Sequence, residues 1–360
     1  MKKFFIIFLI LPFFGSSRVD AQTAVVKMSA TKATDYGVTY YLPKTVFVIG
    51  ISYSQTTQKA GPLAKYAGKY LGLDENAVVQ EDMTFYTLNN VSITSKGIAN
   101  KDESYLVLFK QKTTAPFVYL RNDGVICTIN AEYEAETPVN QPVSEAKSPT
   151  VPIANVQSVF TEEYYQAGST AKMAEVAAKQ IYKIRESRND FLTGEAENMP
   201  SDGEGLKVIL ANLDAQEKTL TELFTGSSTS SKHSQVIEIE PVGDMDKEIL
   251  FRFSKYYGVT DSDDLSGKPV YINIHRIEAA PEEIVDPKKK EKEEKSIVYN
   301  LPGEANVEVI YDNNSLYKSK LQIVQFGTKK ILATSIFEDK KAPVKVYFYP
   351  ETGAVRQITQ

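Results

Sequence analysis

The stretch that decides the fold is YYLPKTVFVIGISYSQTTQKAGPLAKYAGKYLGL, which occupies residues 40–73. Residues 46–51 within it are rich in β-branched and aromatic side chains, which predicts a strand buried on both faces. A polar turn is expected next, over residues 54–59. The chain then changes from a strand pattern to a helical one.

The helical pattern begins at Gly61, which can cap a helix, and Pro62 suits the first helical position. Gly72 suits a left-handed stop. The apolar side chains between them recur at helical spacing and form one stripe: Leu63, Tyr66, Ala67 and Tyr70. We therefore expect one strand followed by one short capped helix that packs back on a sheet.

Three later motifs join this opening stretch: IRESRNDFLTGEAENMPSDGEGLK at residues 184–207, FRFSKYYGVTDSDDLSGKPVY at residues 251–271 and VYFYPETGAV at residues 346–355. Together with YYLPKT and KAGPLAKYAGKYLGL, they resemble a family of secreted Bacteroidetes proteins known only as a domain of unknown function. The resemblance covers nearly the whole chain after its N-terminal segment. It implies an exported protein of Gram-negative anaerobes, and it implies no activity, cofactor or catalytic residue.

Residues 1–21 are typical of a secretory signal peptide, with two lysines, an apolar centre at residues 4–14 and a small-residue cleavage site ending at Ala21. The apolar centre is too short to span a bilayer, which needs roughly 20 residues. No cysteine follows it to accept a lipid. We expect cleavage between Ala21 and Gln22, then a periplasmic or outer-membrane-associated protein without a lipoprotein anchor and without a membrane span.

The composition is mildly acidic, with 41 Lys and Arg against 46 Asp and Glu and a formal net charge of −5. Such a chain lacks the basic surface that nucleic-acid backbones require, so nucleic acid is not an expected partner. The single cysteine, Cys127, cannot form an internal disulfide, and its strand-like surroundings predict a small core residue. Stability must therefore come from hydrophobic burial.

The chain after residue 21 divides by composition into five segments. Residues 22–131 predict an N-terminal α+β domain, and residues 235–360 predict a C-terminal β-rich domain. Between them we expect a Pro-rich linker at 132–157, a helical hairpin at 158–226 and a Ser-rich tether at 227–234. The predicted fold class is α+β, with two mainly antiparallel β-rich domains separated by the linker and by an antiparallel helical hairpin.

A weak echo connects the two β-rich blocks. Tyr41-Leu42-Pro43 resembles Asn300-Leu301-Pro302, and the turn at residues 122–124 resembles the turn at 351–353. The first of these turns contains Asp-Gly, a strong hairpin signal. Duplication and chance both remain open, because short β motifs recur often.

The helical hairpin has the strongest periodicity in the chain. Gly194 can stop the first helix, a capping pattern from Ser201 to Glu204 can open the second, and Gly226 can end it. The apolar stripe of the first helix consists of Ala174, Ala177, Ile181, Ile184 and Phe191. The stripe of the second consists of Leu206, Ile209, Leu210, Leu213, Leu220, Leu223 and Phe224.

Arg185 and Arg188 on the first helix are the candidate partner-binding residues. Arg188 occupies the position where the apolar stripe would continue between Ile184 and Phe191. One interpretation is a surface salt bridge, or an arginine whose stem covers the core. The other is contact with an anion or with a partner carboxylate, which the planar guanidinium fits.

No pattern assigns chemistry to the chain. The two histidines, His233 and His275, stand in no nucleophile, metal or phosphate-binding motif, so we assign no catalytic residue, no metal ligand and no cofactor. The leading hypothesis is a non-enzymatic scaffold or binding protein of the bacterial cell envelope. It would bind an unknown envelope protein or associate with itself through the helical hairpin.

The alternative is an envelope hydrolase or carbohydrate-binding protein. Tryptophan is absent, although the 21 tyrosines could supply stacking platforms. A cleft with convergent carboxylates and stacked tyrosines would favour this alternative. Apolar helical surface left open would favour the scaffold or binding protein.

The signal-peptide interpretation predicts that the exported protein begins at Gln22. N-terminal sequencing of the protein from the envelope fraction measures this directly. A chain that still begins at Met1 in that fraction would contradict the prediction.

Overall fold

The structure is a computed structural model that describes residues 24–27, 37–108, 118–133, 159–200, 202–277, 296–333, 336 and 344–360. The predicted cleavage site at Ala21 and Gln22, most of the predicted linker at 132–157, and Ser201 lie outside these residues. The strands are β1 Ala24–Lys27, β2 Gly37–Lys59, β3 Met83–Leu108, β4 Val118–Leu120, β5 Ile126–Ile129, β6 Ser227–Ile239, β7 Met245–Ser254, β8 Gly258–Thr260, β9 Lys268–Arg276, β10 Ser296–Tyr311, β11 Asn314–Ala333, β12 Lys345–Phe348 and β13 Val355–Thr359. The helices are α1 Ala67–Leu71, α2 Glu162–Tyr165, α3 Thr170–Thr193 and α4 Gly203–Thr225.

The strands form three sheets, and every pair of neighbouring strands within a sheet is antiparallel. The strand orders are β1-β3-β2-β6 in the first sheet, β11-β10-β9-β7-β8 in the second and β13-β12-β5-β4 in the third. The predicted class is confirmed: the fold is α+β, mainly antiparallel, with a helical hairpin formed by α3 and α4. The third sheet takes two strands from each of the two predicted β-rich blocks.

The first core lies between the first and second sheets. Alternate residues of β2, namely Phe47, Ile49 and Ile51, are buried there because side chains on a strand alternate between its faces. Across from them lie apolar side chains of the second sheet, among them Phe251, Phe253, Val270, Ile272, Ile274, Val307, Val309, Ile323 and Phe326. Two sheets packed face to face in this way make the central β-sandwich.

The second core lies where the long hairpins meet the third sheet. It combines Tyr40, Leu42, Tyr105, Val107, Ile126, Ile129, Ile297, Val298, Val346 and Phe348. These residues come from both ends of the sequence, so neither predicted β block completes this core alone.

The tripeptides that echo each other both mark a bend in a long hairpin. In β2–β3, the ladder pairs Tyr41 with Ser104 and resumes with Pro43 paired to Ala99, so a short step on β2 faces a longer step on β3. In β10–β11, the step from Leu301 to Gly303 faces one of the same size, from Thr328 to Ile323. A proline is tolerated at such a bulge because the ladder is interrupted there.

The turn of a short hairpin packs against each bend, the β4–β5 turn against the first and the β12–β13 turn against the second. The Tyr41 amide donates to the Gly124 carbonyl at 2.9 Å, and the Asn300 amide donates to the Gly353 carbonyl at 3.1 Å. Both glycines have positive φ, 86° and 71°, as tight turns of this kind require. The weak sequence echo therefore corresponds to two equivalent arrangements of a bent hairpin and a docked turn.

The predicted short helix differs in its start and in its packing. It begins as a 3-10 turn at Ala64–Tyr66, continues as α1 and ends at Gly72, whose φ is 66°. Gly61 is not its cap; a Cβ there would lie 2.2 Å from the Leu223 carbonyl oxygen. The segment packs on α3 and α4 rather than on a sheet. The chain passes close to the Leu223 carbonyl of α4 at Gly61, and this places the residues that follow against the helices.

Two segments predicted to be irregular are strands. Residues 54–59, predicted as a turn, continue β2 to Lys59, and residues 227–234, predicted as a tether, form most of β6. The two segments pair with each other. Their Ser, Thr and Gln side chains gave a loop-like composition, but partners distant in sequence satisfy the backbone in a ladder, and tertiary pairing outweighs such local preference.

The structural role predicted for Cys127 can be tested through its reactivity. Its side chain is fully buried, and burial raises the pKa of the thiol from 9.0 to about 11. Because the folded state holds the neutral thiol, its contribution to stability is complete below the ordinary pKa and is lost as the pH rises towards 11. We expect no labelling of the native protein near neutral pH. Urea unfolding of Cys127→Ala should show a loss of roughly 1 kcal/mol, and rapid native labelling would contradict both expectations.

Candidate functional site: the helical hairpin

Local capping positions both helices of the hairpin. Ser169 caps α3 by accepting from the Lys172 amide, and Gly194 ends it in a left-handed conformation with φ 81°. Asp202 caps α4, its Oδ1 accepting from the Gly205 amide at 2.6 Å. The predicted stop at Gly194 is thus confirmed, and the cap of α4 is Asp202, a residue of the predicted capping pattern.

The inner half of the hairpin is a packed unit. Ala174, Ala177, Ala178, Ile181 and Ile184 of α3 are buried with Leu220 and Phe224 of α4 and with Leu63, Ala67, Val78 and Val159. Backbone bonds tie the end of α4 to the β2–β3 connection: the Leu63 amide donates to the Leu223 carbonyl, and the Val79 amide donates to the Thr225 carbonyl, both at 2.8 Å. This half is therefore fixed to the first sheet.

The two predicted arginines lie at the middle of the hairpin and face α4. The Nε of Arg185 lies 2.6 Å from Oε1 of Glu217. The Nε of Arg188 lies 2.9 Å from Oδ1 of Asp214, and its Nη2 contacts the second oxygen of Glu217. The Arg185 guanidinium also lies 5.6 Å from the ring centroid of Tyr182. Of the two interpretations, these distances show the salt bridge, formed between α3 and α4.

These ion pairs set the register of the two helices. Arg185 faces Glu217 and Arg188 faces Asp214. Moving three residues towards the C-terminus of α3 therefore corresponds to moving three residues towards the N-terminus of α4. The same register places Leu192 level with Leu210. An open concavity of about 500 Å³ lies beside the pairs, and its lining runs from Arg185 to the first residues of β6.

The outer half of the hairpin leaves apolar side chains in solvent. Leu192 is 65 % exposed, Met199 45 % and Val208 60 %. Leu192 and Val208 lie off the predicted stripes, which is the signal in the sequence that could have identified them. We call the surface formed by Leu192, Met199 and Val208 the hairpin tip.

Acidic side chains lie close to the hairpin tip in the sequence. Glu195, Glu197, Asp202 and Glu204 are all exposed, and the sequence of residues 189–206 contains neither Lys nor Arg. Lys207 pairs with Glu204 at 2.6 Å at the edge of this region. The tip therefore carries exposed apolar side chains together with these exposed acidic residues, which we call its rim.

A second concavity, of about 350 Å³, lies at the bends of the two long hairpins. The only carboxylate among its described lining residues is Glu103, and this lies 2.8 Å from the Lys329 ammonium group. Glycoside hydrolysis uses two positioned carboxylates. The geometry expected for a glycosidase is therefore not present at this cleft among the described residues.

The two histidines are not among the described lining residues of either concavity. His233 lies on the exposed part of β6, where its ring stacks on Tyr53 at 5.5 Å, while His275 is exposed on β9. Tyr53 also contacts Tyr86 and Phe253, both at 6.2 Å. Within the described part of the chain, no group of three or more His, Cys, Asp or Glu side chains is placed to hold a metal ion.

A comparison with known protein families identifies the family of this chain. Residues 36–356 match the family described as Domain of unknown function (DUF4831). The chain belongs to this family. No curated protein and no solved structure gives a significant match to this DUF4831 protein. Among its described helices, none has both the length and the apolar character needed to cross a bilayer.

The ion pairs at the middle of the hairpin predict a measurable stability effect. Arg188→Ala should lower the free energy of unfolding by about 1 kcal/mol, because it removes two contacts to carboxylates at a partly buried site. Arg188→Met keeps the aliphatic stem and so separates packing from charge. Urea unfolding at low and high salt measures both variants.

The matched control is Lys218→Met, which removes an exposed ion pair within α4. In this pair the Lys218 ammonium group lies 3.9 Å from the Glu222 carboxylate. It should leave stability nearly unchanged. Equal stability of Arg188→Ala and the unmodified chain would mean that the Arg188 pairs do not hold the two helices together.

Proposed function

We propose that this DUF4831 protein is an exported, non-enzymatic scaffold or binding protein of the Bacteroidetes cell envelope. The hairpin tip is its partner-binding surface. The partner is an envelope protein with an apolar patch bordered by Lys and Arg. Export rests on the signal-like residues 1–21, and the source rests on the motifs that resemble secreted Bacteroidetes proteins.

The observation that carries the proposal is the exposure of Leu192, Met199 and Val208. Apolar side chains grouped at one end of a helical pair gain free energy when a partner removes them from water, at about 25 cal/mol per Å². The inner half of the same hairpin has its own buried core, so the open tip is not needed to hold the fold together.

The chemistry of the partner follows from the rim. Glu195, Glu197, Asp202 and Glu204 create a negative potential close to the apolar side chains of the tip, which favours a positively charged partner and speeds its association. Arg185 and Arg188 are engaged with Glu217 and Asp214, so they hold the hairpin rather than contact the partner.

The test is affinity capture of the full chain from its native envelope fraction, followed by mass spectrometry. The double variant Leu192→Ser with Val208→Ser should lose the specific partner, with at least a roughly tenfold drop in recovery, since two apolar contacts are removed. The partner should also be released by raised salt, because the rim attraction is screened.

The control is Leu265→Ser, which changes an apolar residue that is 83 % exposed on a different part of the molecule. It should capture the same proteins as the unmodified chain. Identical capture by the tip variant and the control would overturn the proposal. A tip variant that loses only self-association would identify a second copy as the occupant and would exclude the basic envelope partner.

A further inference from the structure

The outer edge of β6 is long, regular and open among the described residues. β6 is the last strand of the first sheet and pairs with β2 along its whole length of 13 residues without a register shift. It contains no proline and one lysine. Along the described residues, no strand pairs with its outer side. An edge of this kind presents a row of backbone donors and acceptors that another strand can bind.

The other outermost strands of the three sheets carry features that oppose such pairing. β1, β4, β8 and β13 have only three to five residues each. The long edge strand β11 has four lysines and two register irregularities with β10. Short length, lysine and bulges are the usual ways in which proteins block edge-to-edge association. β6 is 13 residues long with one lysine and no register shift, so its outer edge is open to pairing with another strand.

We propose that β6 pairs antiparallel with β6 of a second copy of this chain, about a two-fold axis at Gln235. Each copy contributes the same strand, as a two-fold interface requires. The two first sheets then join into one continuous sheet across the axis. This interface is separate from the hairpin tip, and it does not depend on the function proposed for the tip.

The charges on β6 select this register. Lys232 and Glu238 each lie three positions from Gln235, so pairing about Gln235 places Lys232 of one copy opposite Glu238 of the other, twice. Both side chains lie on the same face of the sheet, because they pair with the alternating β2 residues Ser54 and Val48. Opposite charges directly across a pair of strands are stabilising, and like charges are destabilising.

The side chains involved are accessible for this contact. Glu238 is about half exposed and lies 3.5 Å from the exposed Lys96 ammonium group, so it can accept a second ammonium group. Lys232 is exposed and extends from the same face. Val236 lies between them on this face and is 61 % exposed, so it would be covered by the second copy.

The test is a charge exchange on the full chain, followed by sedimentation equilibrium at low salt. The unmodified chain should form dimers. With Lys232→Glu alone, both facing pairs of positions 232 and 238 consist of two glutamates. With Glu238→Lys alone, both consist of two lysines. Each single variant should weaken self-association roughly tenfold.

The decisive measurement is an equimolar mixture of the two single variants. Every facing pair in the mixed dimer is again of opposite charge, so association should recover. The double variant Lys232→Glu with Glu238→Lys should also recover it alone. Circular dichroism of each variant checks that the monomer remains folded.

A chain that stays monomeric at high concentration would overturn the proposal, and so would a mixture that fails to recover association. Self-association that is lost in the hairpin-tip variant but kept in Lys232→Glu would place the interface at the tip. Loss of binding to a different protein, with self-association unchanged, would make β6 an edge for another chain and exclude a second copy.

Discussion

The structure depends on two bent hairpins that must serve two cores at once. Tyr40 and Leu42 are buried in the second core, whereas Phe47, Ile49 and Ile51, a few residues later on the same strand, are buried in the first. A regular strand cannot turn its buried face in so short a distance, because its side chains alternate strictly. The irregularity at each bend relieves this conflict.

Buried polar contacts hold the two bends together. The side-chain amide of Gln325 accepts from the Thr45 amide at 3.0 Å and donates to the Thr45 carbonyl at 2.8 Å. The Tyr40 hydroxyl accepts from the Val298 amide at 3.0 Å and lies 3.2 Å from the Val298 carbonyl. These contacts satisfy backbone groups close to the two bends, and an unsatisfied buried group would be costly. Burial accordingly raises the pKa of the Tyr40 hydroxyl.

The parts of the fold that could be predicted are those that local chemistry decides. Gly194 and Gly72 end helices because a left-handed residue is needed there, and Gly124 makes a tight turn for the same reason. The parts that could not be predicted depend on distant partners. Residues 227–234 look like a tether until β2 is beside them, and the third sheet combines strands from the two ends of the chain.

The candidate site was predictable to the same extent. Arg188 interrupts an apolar stripe, which identifies it from sequence, and an antiparallel hairpin brings acids of the second helix within its reach. The particular partners, Asp214 and Glu217, follow only from the helix register. The positions of Leu192 and Val208 off the predicted stripes indicate exposed side chains, but their grouping at the tip depends on how far the packed half of the hairpin extends.

The connection between α4 and β6 links the two proposed interfaces mechanically. Only Gly226 lies between these elements, and a Cβ there would lie 2.4 Å from the Lys59 carbonyl oxygen and 2.8 Å from Val79. With so little room, and with the end of α4 bonded to the β2–β3 connection, the hairpin has a fixed direction relative to β6. A dimer formed through β6 would therefore present two hairpin tips at a fixed separation. Two sites held in this way bind a multivalent partner more tightly than one, without any new contact, so self-association through β6 would strengthen binding at the tip.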